Sequence, residues 1–201
     1  MCQLEDVARA WEGLQAYDAA RLLATANVPW WVAGGLALDL FRGTSPREHA
    51  DLDVGVLRCD ALAAVEAIST WQIFEAKKGE LTRLSPGRAP RRDVHCLWCR
   101  PAGTARWAIE LMMEEGDHDV WIYRRDERIQ RPLSSVVQQT ADALPYLSPE
   151  IQLLYKSKAP RNRDEVDFSV TWPLLPADAR SWLHDAISLT APRHRWLAFL
   201  K

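Results

Sequence analysis

Apolar residues recur at helical spacing over residues 4–24, at Leu4, Val7, Ala8, Trp11, Leu14 and Leu22, and Asn27-Val28-Pro29 ends that run. Residues 30–33 form a short continuous apolar stretch that stops at Gly34-Gly35, the pattern of a buried strand. Residues 36–41 predict a short helix closed by Arg42-Gly43, and residues 44–50 a polar loop. From 51 to 57 polar and apolar positions alternate, as in a strand with one buried face. Asp60 is placed to cap a helix running to 69. The middle is strand-rich, with candidates at 71–76, 79–84, 94–100, 106–113 and 119–124, and Pro101-Ala102-Gly103 offers a hairpin turn between the third and fourth. From residue 133 the pattern turns helical, and Ser148-Pro149-Glu150 combines a capping Ser, a Pro at the first helical position and an acid in the first turn. The layout is an α/β core over 1–130 followed by a helical segment over 131–201.

Length and composition narrow the function classes. A chain of 201 residues with 48% hydrophobic residues can bury a core without disulfides or metal staples. Net charge is −2, which argues against a general nucleic-acid binder, whose affinity rests on a large basic footprint. No apolar run approaches the ~18 residues of a membrane span, and the first residues lack the basic and apolar regions of a secretory signal. The expected location is cytoplasmic, with Cys2, Cys59, Cys96 and Cys99 reduced. Ten tryptophans are most economically placed in the core.

Two local patterns carry candidate chemistry. Gly34-Gly35 falls between a predicted strand and a predicted helix. A backbone without Cβ atoms, next to a helix N-terminus with unpaired N–H groups, suits a phosphate chain. Alone, such a pair is more readily a tight turn. Asp51-x-Asp53 places two carboxylates on one face of a strand, where they repel unless a cation lies between them, and Mg²⁺ takes carboxylates together with phosphate oxygens. Arg47 and His49 extend the same alternation and suit phosphate and carboxylate partners. Alone, this pair of acids is as readily a solvated edge. Cys96-x-x-Cys99 lacks a second pair and sits in a strand that points its members to opposite faces, so no metal site is expected there. Asp117-His118-Asp119 reads as a polar turn, and Arg124 and Arg125 as exposed charges.

In combination, Gly-Gly, helix, loop and R-x-H-x-D-x-D on the next strand resembles the DNA polymerase β-type nucleotidyltransferases. More closely it resembles the small antibiotic nucleotidyltransferases that modify lincosamides and aminoglycosides. The resemblance implies an α+β fold, a mixed sheet flanked by helices, with a C-terminal helical segment. It implies that Gly34, Gly35, Arg47 and His49 serve the triphosphate, and that Asp51 and Asp53 bind two Mg²⁺ ions. It also implies a third carboxylate on a later antiparallel strand. The best match is Glu110, opposite the face shared by Trp107, Ile109 and Leu111; Asp93, Glu114 and Glu115 compete. A second block, residues 144–168, resembles the helix pair that closes the nucleotide cleft, with Lys156 placed to reach the triphosphate. Asp164 and Asp167, at i and i+3, read there as solvated charges, with holding Lys156 or lining the cleft as the alternatives.

The expected reaction is transfer of a nucleoside monophosphate, AMP from ATP, to a hydroxyl of a small molecule. Neither nucleic acid nor membrane is an expected partner. Two other readings stay open: a non-catalytic NTP-binding module of the same fold, and a nucleotidyltransferase that modifies a protein partner.

Overall fold

A computed structural model describes residues 11–44 and 48–200. Helix α1 (Ala16–Leu23) leads to strand β1 (Trp30–Val32), helix α2 (Gly34–Arg42) and strand β2 (Asp53–Leu57). A 3-10 turn, Arg58–Asp60, and helix α3 (Ala61–Ala67) precede β3 (Trp71–Lys77), β4 (Glu80–Arg83), β5 (Cys96–Pro101) and β6 (Ile109–Gly116). Then follow β7 (Val120–Ile122), β8 (Gln130–Pro132), β9 (Val137–Gln139), β10 (Pro145–Leu147) and helices α4 (Pro149–Ser157), α5 (Asn162–Thr171) and α6 (Ala177–Thr190). The strands form one mixed sheet in the order β4-β3-β5-β6-β2-β1-β10-β9, with β7 and β8 continuing from β6. This is the α+β architecture the resemblance implies, and no described helix is long and apolar enough to cross a membrane.

The centre of the sheet positions the rest. β2 lies between β1, antiparallel to it, and β6, parallel to it. Apolar side chains of these three strands are almost wholly buried, including Trp31, Val32, Val54, Val56, Ile109 and Leu111. Burying each such side chain contributes ~1.5–3 kcal/mol. Trp31 fits only because Gly55 stands opposite it: a Cβ on Gly55 would lie 2.2 Å from the indole nitrogen.

Several boundaries differ from the sequence pattern. The helix expected over 4–24 begins at Ala16; its earlier half is partly outside the described residues, and Trp11 instead bridges Trp107. Trp11 packs against Trp98 and Trp107 in an aromatic cluster, and that tertiary contact outweighs helical spacing. The strand expected from 51 begins at Asp53, and that expected over 106–113 is displaced to Ile109–Gly116. The helical segment expected from 131 does not start there. Residues 130–147 contribute β8, β9 and β10, and helix resumes at Pro149. β10 pairs in parallel with β1, Val32 beside Tyr146. Apolar runs this short fit either period, and pairing with an existing strand edge decides between them. Neither Asp60 nor Ser148 caps with its side chain. The Asp60 carboxylate pairs with His118, and the Ser148 hydroxyl donates to the Ser135 carbonyl.

Candidate active site

The β2–β6 register sets the acidic centre. Asp53 is the direct partner of Glu110, and the Glu110 N–H donates to the Leu52 carbonyl at 2.9 Å. Asp51 sits just before β2, two residues from Asp53. One ligand oxygen from each of Asp51, Asp53 and Glu110 falls in a set lying within 4.8 Å of one another. The strand bearing Glu110 is parallel to β2 rather than antiparallel as the resemblance implied, and this parallel pairing is what brings the two acids to one height. The competing acids are engaged elsewhere. Asp93 pairs with Lys77, and Glu115 with Arg58. Glu114 is buried and accepts hydrogen bonds from Trp121 and Tyr155.

Like charges at such spacing cannot all ionise at no cost. Burial, then Glu110 and Asp51, push the Asp53 carboxyl up to about 8, against the opposing pull of Lys156 and Arg163. Burial, with Asp51 adding to it, also raises Glu110. Three converging carboxylates held this way form an all-oxygen donor set, the kind hard divalent cations such as Mg²⁺ prefer.

The glycine turn presses directly on this centre. Gly34 opens α2 with φ +66°, and a Cβ there would lie 1.9 Å from an Asp53 carboxylate oxygen. Its N–H donates to Gln152 Oε1 at 2.8 Å, tying the turn to α4. Gly34 and Gly35 form one wall of a cleft of about 410 Å³, and Lys156, Arg161, Arg163, Arg124 and Arg125 line it with the three acids. A cleft with carboxylates on its floor and cations on its walls suits a polyphosphate bridged to metal ions.

Lys156 is held from behind. Its ammonium lies 2.7 Å from Asp164 and 2.9 Å from Asp167, and the three side chains are only 8%, 3% and 3% exposed. Asp164 and Asp167 are therefore a buried clamp rather than the solvated charges of the sequence pattern. Helix α5 packs against α4, and this turns the shared face of the two acids inward. Burial raises Asp164, but hydrogen bonds from Arg161 and Lys156 outweigh it and hold the carboxyl well below the usual range. Lys156→Met leaves two buried acids short of their cation, and it should lower the urea unfolding free energy by about 3–5 kcal/mol. For Asp164 the stabilisation is present above the ordinary carboxylate pKa and is lost as pH falls through the depressed folded value. The deficit of the variant should therefore shrink on strong acidification.

His49 lines the same cleft, with its Nε2 2.7 Å from Asp39, which also pairs with Arg42 at the end of α2. Arg47 lies outside the described residues. Among residues the sequence pattern left unassigned, Gln152, Tyr155, Lys158 and Arg161 enter the cleft. Arg124 and Arg125, read as exposed, line it too, and Arg125 donates to the Tyr155 carbonyl at 2.8 Å. Two adjacent arginines at a strand end were the available signal; the packing of α4 against that end gives it meaning. Cys99 is buried while Cys96 is half-buried on the other face, and the two share no metal-ligand group among the described residues. No tryptophan among the described residues lines the cleft.

Known proteins resemble this arrangement. A search of curated proteins returns no match. Among solved structures, the solution structure of the antibiotic-resistance factor ANT(2'')-Ia aligns with a TM-score of 0.57 at 13% identity, covering 94% of this chain and 95% of the other. The crystal structure of ANT(2'')-Ia with adenylyl-2''-tobramycin aligns at 0.53 and 13%, covering 95% and 100%. The lincosamide antibiotic adenylyltransferase LnuA, solved with lincomycin, aligns at 0.52 and 16%, covering 76% and 91%. At these identities the likeness is one of fold. The family profile described as aminoglycoside-2''-adenylyltransferase matches residues 16–170, a span that runs from α1 through α5 and contains every described element of the cleft. The chain accordingly belongs to the aminoglycoside-2''-adenylyltransferase family and is a nucleotidyltransferase.

Proposed function

We propose that this cleft transfers AMP from ATP to a hydroxyl of an aminoglycoside-like small molecule and releases pyrophosphate, with Mg²⁺ held by Asp51, Asp53 and Glu110. The observation that carries the reading is the pairing of Asp53 with Glu110 beside Asp51, directly under the Gly34 turn. The family's described activity supports the adenylyl donor and the acceptor class.

Bound divalent ions would supply charge neutralisation for the attacking and leaving oxygens. The chain's own residues do the rest. Gly34, Gly35 and Arg47 cradle the β- and γ-phosphates, and Lys156 meets their charge from the α4 side. His49, oriented by Asp39, hydrogen-bonds at the cleft wall. The acceptor oxygen attacks the α-phosphorus as the bond to the β-phosphate oxygen breaks, and Glu110 takes the hydroxyl proton. Burial raises the basicity of Glu110, which suits it to accept that proton. Catalysis is then mostly positioning and charge stabilisation.

The test is incubation of the purified chain with each NTP, Mg²⁺ and a panel of aminoglycosides, lincosamides and candidate proteins, read by mass spectrometry. An adenylyl mass increment on an aminoglycoside, dependent on Mg²⁺, is expected. An increment only on a lincosamide or a protein, or none with any acceptor, would overturn the acceptor assignment. Glu110→Gln keeps the shape of the side chain but loses its charge and basicity. It should retain nucleotide binding while kcat falls ~10²–10⁴-fold, and normal turnover by this variant would remove the proton-accepting role.

A further inference from the structure

At the opposite end of β2 from Asp53, the Arg58–Asp60 turn meets the turn between β6 and β7. Five strand residues separate the two ends, ~16 Å at the usual rise. We propose that Cys59, Asp60 and His118 form a second cation site, for a borderline-soft divalent ion such as Zn²⁺, that clips these two turns together. One ligand atom from each residue falls within 4.8 Å of the others, and His118 Nε2 already lies 2.9 and 3.1 Å from the two Asp60 oxygens.

The turns are built to hold these groups in place. The Asp117 carboxylate accepts the N–H groups of Asp119 and Val120 at 2.9 and 2.8 Å, which fixes the tip that carries His118. Asp60 is half-buried at the start of α3, whereas Cys59 and His118 are open to solvent, so an ion can enter. Local charge favours a cation. The adjacent cation, Arg58, is turned away onto Glu115, the Val94 carbonyl and His95.

The donor set separates this site from the acidic centre. Sulfur, imidazole nitrogen and one carboxylate suit Zn²⁺ or Co²⁺, whereas three carboxylates suit Mg²⁺. On binding, the Cys59 thiol proton passes to solvent as sulfur bonds the metal. His118, whose Nε2–H donates to Asp60 in the ligand-free chain, gives up that proton through solvent, bonds the metal through the freed Nε2 lone pair with its ring proton on Nδ1, and water completes a fourth position.

Co²⁺ titration of the full chain under reducing conditions tests the site. A thiolate-to-cobalt charge-transfer band saturating at one ion per chain is expected. Zn²⁺ should displace it, and excess Mg²⁺ should not. Cys59→Ser should abolish the band, and His118→Ala should weaken Co²⁺ binding at least tenfold. Asp53→Asn and Glu110→Gln should leave the band intact, which distinguishes this site from the catalytic reading. Both substituted side chains of the cluster are exposed, and circular dichroism verifies the fold of each variant. No band in the native chain, a band that survives Cys59→Ser, or a band lost in Asp53→Asn would each overturn the proposal.

Discussion

Asp53→Asn is expected to reduce adenylyl transfer to background and, at the same time, to stabilise the ligand-free protein. The two effects have one cause. Asp53 is buried beside Asp51 and Glu110, and its carboxyl is pushed up to about 8 by burial first and by those acids second. A group whose folded pKa is raised contributes stability below its unfolded pKa and loses it as pH rises through the folded value. Ligand-free native protein should therefore become progressively less stable, relative to the variant, from about pH 4 to pH 8. The melting-temperature gain of Asp53→Asn should be small at pH 4, grow across that window and level off above it. Mg²⁺ should raise the melting temperature of the native chain and leave that of the variant almost unchanged. Asp51→Asn should also lose transfer, since both carboxylates face the same point. Native turnover in either variant, or a pH-independent stability difference for Asp53→Asn, contradicts the account.

Gly34→Ala carries the second large effect. The new Cβ would lie 1.9 Å from an Asp53 carboxylate oxygen and 2.8 Å from the carboxyl carbon, so Asp53 must swing away or the turn must open. Opening the turn also strains the hydrogen bond to Gln152. In addition, φ is +66°, where a side chain costs ~1–2 kcal/mol. Transfer should fall to background and the melting temperature should drop. Gly43→Ala separates conformation from contact. Gly43 has φ +69° at the end of α2, but a Cβ there meets nothing within 4 Å. That variant should lose only the strain component of stability and keep its turnover. Equal loss of transfer in both variants would show that the glycine conformation, not its approach to Asp53, matters.

The sequence reading and the folded chain agree where the relevant physics is local. The alternation over 51–57 marks the strand β2 without reference to the rest of the chain, although the strand itself begins at Asp53 and Asp51 lies just before it. The run Trp30–Val32, the glycine pair and α2 with its Gly43 stop are likewise set by neighbours in sequence. The helix start at Pro149 is legible for the same reason, although the Ser148 side chain turned to a different partner.

Long-range pairing decided the remainder. Glu110 could be picked as a strand acid with an apolar opposite face, but only the parallel register of β2 and β6 sets it beside Asp53 and sends Glu114 into the interior. Residues 137–147 have too short a pattern to separate strand from helix, and the free edge of β1 made the choice. The charges of α4 and α5 look solvated along the chain because their spacing is that of an ordinary helix surface. Packing one helix against the other buries Lys156 between Asp164 and Asp167. Sequence by itself determined which residues are candidates for metal-binding and phosphate-binding chemistry, since residue type and short-range periodicity are intrinsic to the chain. Tertiary structure alone decided which of them share a site, because strand register and helix docking join positions more than fifty residues apart and depend on burial that no local window contains.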